Sequence, residues 1–231
     1  MKSLEPIAST RHFRTFAIIS LIVTLLGVTA QLHAAKGASQ NPGHGAIVLT
    51  YLVTIIAEWL LLFFVWRGVR AYGGNLFSLA GRWKTPLAAA TDLILGALVA
   101  LGLLLLATFV QRFFPADQAL VDQLLPKGPL ESVLWIALSL TGGIVEEMVF
   151  RGFLLRQLSA RLRNVSFAVV AQALWFGAMH AYQGVNNVVT ICLIGVALGL
   201  VAIWRNQLRT NIIAHSCVDL LGGFAPHFLT G

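Results

Sequence analysis

The sequence predicts an all-α fold, a polytopic transmembrane helical bundle with about seven membrane helices. Of its 231 residues, 58% are hydrophobic and only 11% are charged. Soluble domains contain about 25% charged residues, so this composition is typical of an integral membrane protein. Seven apolar runs each approach the roughly 17–25 residues that a helix needs to cross the hydrocarbon core. The length suits a single membrane domain and leaves no room for a sizeable soluble one.

Each apolar run predicts one helix, and the last two runs are short and interrupted by polar residues. The first run could instead be a signal peptide cleaved at Ala34-Ala35, but its apolar length favours a retained helix. The runs lie near Thr15–Leu32, Ala46–Trp66, Leu87–Val110, Glu131–Phe150, Val165–Ala181, Asn187–Trp204 and Ile212–Phe228.

The basic residues are distributed unevenly between the two sides of the predicted membrane. The N-terminus and alternate connections hold 13 of the 16 Lys and Arg residues, and the other side holds three. By the positive-inside rule, the N-terminus and the arginine-rich connections face the cytoplasm. We attribute the net charge of +7 to topology and lipid headgroup contacts, and we expect no nucleic acid partner. The short loops favour a bacterial cytoplasmic (inner) membrane.

Three ionisable residues interrupt the fourth run, in the motif Glu146-Glu147-x-x-x-Arg151. A charged residue at the centre of a membrane helix costs roughly 2.5–3.5 kcal/mol on insertion scales, so the motif must have a role. Glu147 and Arg151 are four residues apart, in the order that favours an intrahelical ion pair. Glu146 either shares Arg151 as a second structural carboxylate or is free for chemistry.

The fourth and fifth runs predict a helical hairpin that turns near Arg163. Glu146 precedes Arg163 by seventeen residues, and His180 follows it by seventeen. At 1.5 Å per residue, both lie roughly 25 Å from the turn. We therefore expect this carboxylate and this imidazole at one depth, in the middle of the membrane or in its cytoplasmic half. The alternative for His180 is a packing histidine.

Two further polar residues can reach the same depth. His215 and Asp219 follow the last cytoplasmic connection, Arg205–Arg209, by roughly one and a half to three helical turns. The spacing therefore allows them to converge with the hairpin residues. Because they are one helical turn apart, Asp219 could also serve only to hold the imidazole in place.

The remaining polar and small residues of the runs have simpler interpretations. Glu58 and Asp92 also lie in apolar runs, and with no motif near them they predict helix–helix hydrogen bonds. The pair Gly142-Gly143 and Gly177 would allow close approach of neighbouring helices, or a local opening for backbone or water.

A carboxylate and two imidazoles inside a bilayer suit the activation of water. A desolvated glutamate needs a nearby cation to remain ionised, and Arg151 is placed to supply it. Glu146 can then act as a general base. His180 and His215 can orient the water and stabilise the charge on an attacked carbonyl oxygen. Hydrolysis of an amide is the natural reaction class.

Three motifs on three predicted helices together resemble the CPBP family of intramembrane proteases. That family includes type II CAAX prenyl endopeptidases, bacteriocin-processing or bacteriocin-immunity proteins, and proteins resembling lysostaphin resistance protein A. The resemblance covers roughly residues 131–225 and divides the chain into N-terminal transmembrane helices (1–130) and CPBP-like core helices (131–228). The motifs are Glu146-Glu147-x-x-x-Arg151, Phe176-x-x-x-His180 and His215-x-x-x-Asp219.

The resemblance implies that Glu146 activates water together with His180, with His215 and Asp219 on the oxyanion side. Glu147, Arg151 and Phe176 are implied as supporting residues. Many members of the family carry Asn where this chain has Asp219, and an ionised Asp cannot donate a hydrogen bond to an oxyanion.

We favour metal-independent catalysis without a cofactor. Glu146, His180 and His215 would nevertheless make a catalytic zinc set of the His₂Glu type. The expected partners are membrane lipids and a peptide or protein substrate, lipidated or not, that reaches a site open to the cytoplasmic side.

Two other classes of function remain open. A catalytically silent bacteriocin-immunity or scaffold membrane protein could retain the same motifs. An ion-coupled transporter could relay protons through its intramembrane carboxylates, but it predicts inverted repeats, and the charge here is concentrated in three motifs.

Overall fold

The computed structural model describes residues 5–36 and 43–229, and these residues form helices without any strand. The predicted all-α helical bundle is therefore confirmed. Two 3₁₀ turns, Leu76–Leu79 and Ala181–Gln183, lie in connections. The helices are α1 (Thr10–Lys36), α2 (His44–Ala71), α3 (Pro86–Gln111), α4 (Gln118–Asp122), α5 (Pro129–Leu162), α6 (Val165–Met179), α7 (Val185–Arg205) and α8 (Arg209–Leu229).

The seven predicted apolar runs correspond to the seven long helices, and only the short α4 is additional. Among the described residues, α1 (over Thr10–Thr29), α2, α3, α5 and α7 are long and apolar enough to cross a membrane. Helix α6 is apolar but has 15 residues. The chain is thus an integral membrane protein, and its division at residue 130 stays a prediction.

Local sequence signals explain where the helices of the central hairpin begin and end. Helix α5 ends at Leu162, and Arg163 adopts a left-handed conformation with φ of 49°. The side chain of Asn164 then accepts a hydrogen bond from the backbone N–H of Phe167 and caps α6. The hairpin therefore turns at Arg163, as the sequence predicts.

Contacts between distant segments define two ends of the bundle. At one end the side chain of Gln157 bonds the backbone of Ile7 and Ala8, and Asp92 bonds Arg205 and Arg209. This arginine-rich end comprises residues 7–14, 67–84, 156–164 and 205–209. The opposite end comprises residues 112–128 and 180–186 and the start of α2, where His44 bonds Glu131.

The largest hydrophobic core fills the half of the bundle at the arginine-rich end. Phe16, Phe153 and Leu154 are fully buried there, with the rings of Phe16 and Phe153 5.3 Å apart in an edge-to-face arrangement. This half is therefore close-packed.

Helix α5 changes its winding in the middle. Glu147–Leu154 is π-helical, and the backbone N–H of Leu155 donates to the carbonyl of Phe150, five residues earlier. Every residue of this segment is buried. Such wide turns are rare and occur frequently at functional sites, and this one begins directly after Glu146.

Candidate active site

The hairpin brings Glu146 and His180 together, as their equal distance from the turn predicts. The His180 Nε2 atom lies 3.8 Å from Oε1 of Glu146. Glu146 stands seventeen residues after Pro129 and sixteen before Leu162, the two ends of α5. The carboxylate is therefore at the middle of the longest helix.

Helix α8 adds the other two predicted catalytic residues. The His215 Nε2 atom lies 3.6 Å from Oε2 of Glu146 and 3.5 Å from Oδ2 of Asp219. All four of these side chains, together with Phe176, line one cavity of about 420 Å³. The sequence thus predicts the members of this cluster, while their catalytic roles stay predictions.

The hydrogen bonds of the two imidazoles fix their tautomers. The His180 Nδ1 atom lies 2.8 Å from the carbonyl oxygen of Phe176, and a carbonyl can only accept, so Nδ1 carries the proton. The His215 Nδ1 atom lies 2.8 Å from Oε1 of Glu147, which accepts when Glu147 is ionised beside Arg151. In each neutral ring, Nε2 then presents a lone pair to the cavity, and it donates only when the ring is an imidazolium.

Glu147 is the centre of a buried network rather than part of the cavity. Its Oε1 accepts from Arg151 Nη1 at 2.8 Å, and its Oε2 accepts from Asn211 Nδ2 at 3.1 Å. The predicted intrahelical ion pair is confirmed, with both side chains fully buried. The Arg151 guanidinium also lies 4.4 Å from the centre of the Phe176 ring, a cation–π contact.

This network changes two of the expected roles. The hydrogen bonds of Arg151 go to Glu147 and the Gly195 carbonyl, so its charge reaches Glu146 only through space. The imidazole of His215 is held at Nδ1 by Glu147, whereas Asp219 faces Nε2. Positioning of that ring therefore falls to Glu147, and Asp219 belongs to the cavity wall.

Two functional candidates carry no sequence motif. Glu58 lines the same cavity from α2, and its Oε2 is buried without a hydrogen-bond partner among the described residues. The expected helix–helix hydrogen bond is therefore missing at this atom. Asn211 bonds both Glu147 and the carbonyl of Leu198, at 2.7 Å, and links α7 to the network. The only available signal for either residue was a polar side chain within or beside an apolar run.

Asp92, by contrast, makes the helix–helix hydrogen bonds that the sequence predicts. Its carboxylate accepts hydrogen bonds from the loop residue Trp83 and from side chains at the junction of α7 and α8, and so ties α3 to them. The donors are Trp83, Arg205, Gln207, Arg209 and Thr210.

Close packing of α5 against α8 depends on Gly143. A Cβ atom at this position would overlap Ser216 Oγ and lie 3.0 Å from the carbonyl oxygen of Ile212. A Cβ atom on Gly142 would lie 3.4 Å from Oδ2 of Asp219, an ordinary contact. The predicted close helix approach is thus confirmed, and it requires the second glycine of the pair.

A zinc ion requires suitable donor atoms and a suitable arrangement of them. Glu146, His180 and His215 offer the oxygen and nitrogen donors of a catalytic zinc centre, with Nε2 lone pairs free in the neutral rings. No group of three His, Cys, Asp or Glu side chains within residues 5–36 and 43–229 has the arrangement that holds a metal ion. Zinc dependence therefore stays a prediction.

The cavity lies in the half of the bundle away from the arginine-rich end. Its lining residues on α2, α3 and α5 come from the halves of these helices nearest the opposite end and reach as far as Glu58 and Glu146, at the middle of α2 and α5. Val121, Leu124 and Gln183 come from that end's connections. None of the described lining residues belongs to an arginine-rich connection. The side on which the site opens is not fixed by this lining and stays a prediction. Distance from the Arg163 turn gives depth, but packing decides which half is hollow.

Fold and site together define a polytopic α-helical membrane protein with a carboxylate–histidine cluster inside its bundle. Residues 128–221 match the family model Rce1-like, described as type II CAAX prenyl endopeptidase Rce1-like. This match confirms the resemblance to the CPBP family over that part of the chain, and it contains all three motifs. At the family level the match supports an intramembrane protease of the CAAX type. No curated protein and no solved structure matches it.

Proposed function

We propose that this protein is a glutamate-dependent endopeptidase that hydrolyses a peptide bond of a membrane-associated peptide or protein. The observation that carries the proposal is the surroundings of Glu146. Its carboxylate faces two imidazoles at 3.6 and 3.8 Å across a cavity, and its buried Oε2 lacks a hydrogen-bond partner among the described residues. These separations exceed a direct hydrogen bond, so the carboxylate remains available to water.

In the reaction, Glu146 accepts a proton from a water molecule that also contacts His180. The water oxygen forms a bond to the carbonyl carbon of the substrate, and the π electrons of that carbonyl move to its oxygen. When the tetrahedral intermediate collapses, the C–N bond breaks and Glu146 returns its proton to the leaving nitrogen. The net change is the addition of one water molecule across the peptide bond.

The negative charge on the carbonyl oxygen needs a donor. Because Nδ1 of His215 bonds Glu147, its Nε2 donates to the oxyanion as an imidazolium, which Glu147 and Asp219 accompany as counter-ions. Preorganised donors of this kind contribute about 3–4 kcal/mol to transition-state stabilisation. His215 is thus the oxyanion donor of the proposed mechanism.

The test is cleavage of a peptide pool by detergent-purified protein, read by mass spectrometry. The pool combines prenylated and unprenylated peptides, and wild type is compared with Glu146→Gln, each with and without a strong zinc chelator. Asp117→Asn is the matched control, because Asn keeps the cap that Asp117 makes to the Leu120 N–H. We expect cleavage by wild type and by this control, and none by Glu146→Gln.

The remaining outcomes separate the alternatives. Loss of cleavage with chelator, restored by added zinc, would make the enzyme a metalloprotease. Equal cleavage by wild type and Glu146→Gln would contradict the proposal. If wild type cleaves no peptide, the silent immunity or scaffold role takes its place.

A further inference from the structure

We infer that the active-site cavity receives its substrate from the membrane face opposite the arginine-rich connections, so that the substrate is an extracytoplasmic peptide segment. That the cavity receives a substrate rests on the proposed function. That the substrate enters from this membrane face rests on the position of the cavity and on the distribution of charge. It departs from the sequence-based expectation of a site open to the cytoplasm.

Along α2 and α3, the cavity lies towards the end of the bundle opposite the arginine-rich end. On α2 the lining residues run from Thr50 to Glu58, which lies just past the middle of His44–Ala71. On α3 they run from Leu103 to Gln111, the last residue of the helix. Both helices therefore contribute the halves that face away from the arginine-rich end.

Residues of the connections at the opposite end also line the cavity. Val121, Leu124 and Leu125 line the cavity from the segment between α3 and α5, and Gln183 lines it from the 3₁₀ turn after α6. The Asn186 side chain donates to the Pro115 carbonyl at 2.9 Å and so joins these two connections. The cavity thus extends to both connections of one membrane face.

The way to the cavity from the other face is obstructed. Between the cavity and the arginine-rich end lies the packed core that includes Phe16, Phe153 and Leu154, each fully buried. The Gln157 side chain also fixes the N-terminal segment over this end, with 2.7 Å to the Ala8 carbonyl. A peptide on the arginine-rich face would have to displace this core to reach Glu146.

The distribution of Lys and Arg residues assigns the two faces. Arg151 is buried in an ion pair, so it cannot act as a topology signal. Without it, 12 of the other 15 Lys and Arg residues lie at the arginine-rich end or in the N-terminal segment, and three lie on the other side. Such a bias in short connections places the arginine-rich face in the cytoplasm. The cavity then opens on the extracytoplasmic face.

The experiment labels single cysteines in intact cells with a membrane-impermeant maleimide. Gln111→Cys probes the cavity wall at the end of α3. Val185→Cys, at an 81% exposed position, reports on the opposite end, and Tyr72→Cys, at a 55% exposed position, on the arginine-rich end. Wild type, with Cys192 and Cys217, gives the background. None of the three positions carries a Lys or Arg whose loss could change the topology.

We expect the Gln111→Cys and Val185→Cys variants to be labelled in intact cells, and Tyr72→Cys only after the cells are permeabilised. Labelling of Tyr72→Cys alone in intact cells would reverse the faces and overturn the inference. Labelling of Val185→Cys without any labelling of Gln111→Cys, even after permeabilisation, would show a cavity closed to water and also overturn it. Because no cleavage is involved, failure of this inference is distinguishable from failure of the proposed function.

Discussion

The Nδ1 atom of His215 lies 2.8 Å from Oε1 of Glu147, so the second carboxylate of the Glu-Glu pair orients the ring that faces the first. The two neighbouring glutamates therefore have different roles. Glu146 belongs to the cavity and to the proposed reaction, whereas Glu147 belongs to the buried network behind it.

Glu147→Gln should lower both stability and cleavage, because it leaves Arg151 buried without its ionic partner. Removing one partner of a buried ion pair costs about 3–5 kcal/mol. The double variant Glu147→Gln/Arg151→Met removes both charges, so we expect it to recover most of the thermal stability in detergent. Cleavage should stay low in the double variant, since His215 Nδ1 still lacks its carboxylate. Recovery of cleavage along with stability would show that Glu147 has no role in positioning His215.

Gly143→Ala should reduce stability and cleavage, because the added methyl group overlaps Ser216 and forces α5 away from α8. Overpacking of this kind costs about 1–3 kcal/mol. Gly142→Ala is the matched control, since its methyl group would only contact Asp219 at an ordinary distance. Thermal unfolding and peptide cleavage of both variants test this. Equal effects of the two substitutions would mean that the close approach of α5 and α8 is not limiting.

Asp219→Asn should retain cleavage, whereas Asp219→Ala should lose it. An Asn side chain can donate to the oxyanion, and the backbone carbonyl of residue 219 still accepts from Trp135 Nε1. Asp219→Ala removes a counter-ion of the His215 imidazolium and so weakens that oxyanion donor, and loss of one oxyanion donor typically costs about 10²–10³ in kcat. Steady-state kcat for a peptide identified in the cleavage assay distinguishes the two variants. If Asn is as inactive as Ala, the negative charge beside His215 is the essential property.

Peptides with an amidated C-terminus should be cleaved better than the same peptides with a free carboxylate close to the scissile bond. Glu58, Glu146 and Asp219 line the cavity, and no Lys or Arg occurs among its described lining residues. In a site of low dielectric, a further negative charge is repelled. The kcat/KM ratio of amide to acid measures this preference, and Glu58→Gln should reduce the ratio. A higher kcat/KM for the free acid would contradict this account of the cavity.

The hairpin part of the site could be predicted from the sequence because its physics is local. A fixed rise per residue and a turn at Arg163 place Glu146 and His180 at the same depth, whatever surrounds them. Likewise, the i, i+4 spacing alone predicts the pair of Glu147 with Arg151. The seven long helices follow from hydrophobic length in the same way.

The remaining features depend on tertiary packing, which the sequence pattern does not encode. Glu58 joins the cavity only because α2 packs beside α5, and no motif marks it. Asn211, on α8, donates a hydrogen bond directly to Glu147 on α5. The hollow half of the bundle depends on where bulky side chains such as Phe16 and Phe153 fill the space, and depth alone does not predict it.

The wide turn in α5 also separates the rotation of the helix before Glu147 from its rotation after Leu154. Because each bond in Glu147–Leu154 skips one more residue than in an α-helix, the segment accommodates about one extra residue. An extra residue turns everything after it by about 100°. Shortening the segment by one residue would swing Gln157 away from Ile7 and Ala8 while Glu146 kept its direction. The hydrogen bonds of Gln157 to the N-terminal segment and the direction of the Glu146 carboxylate can therefore be changed separately, because the wide turn absorbs the difference.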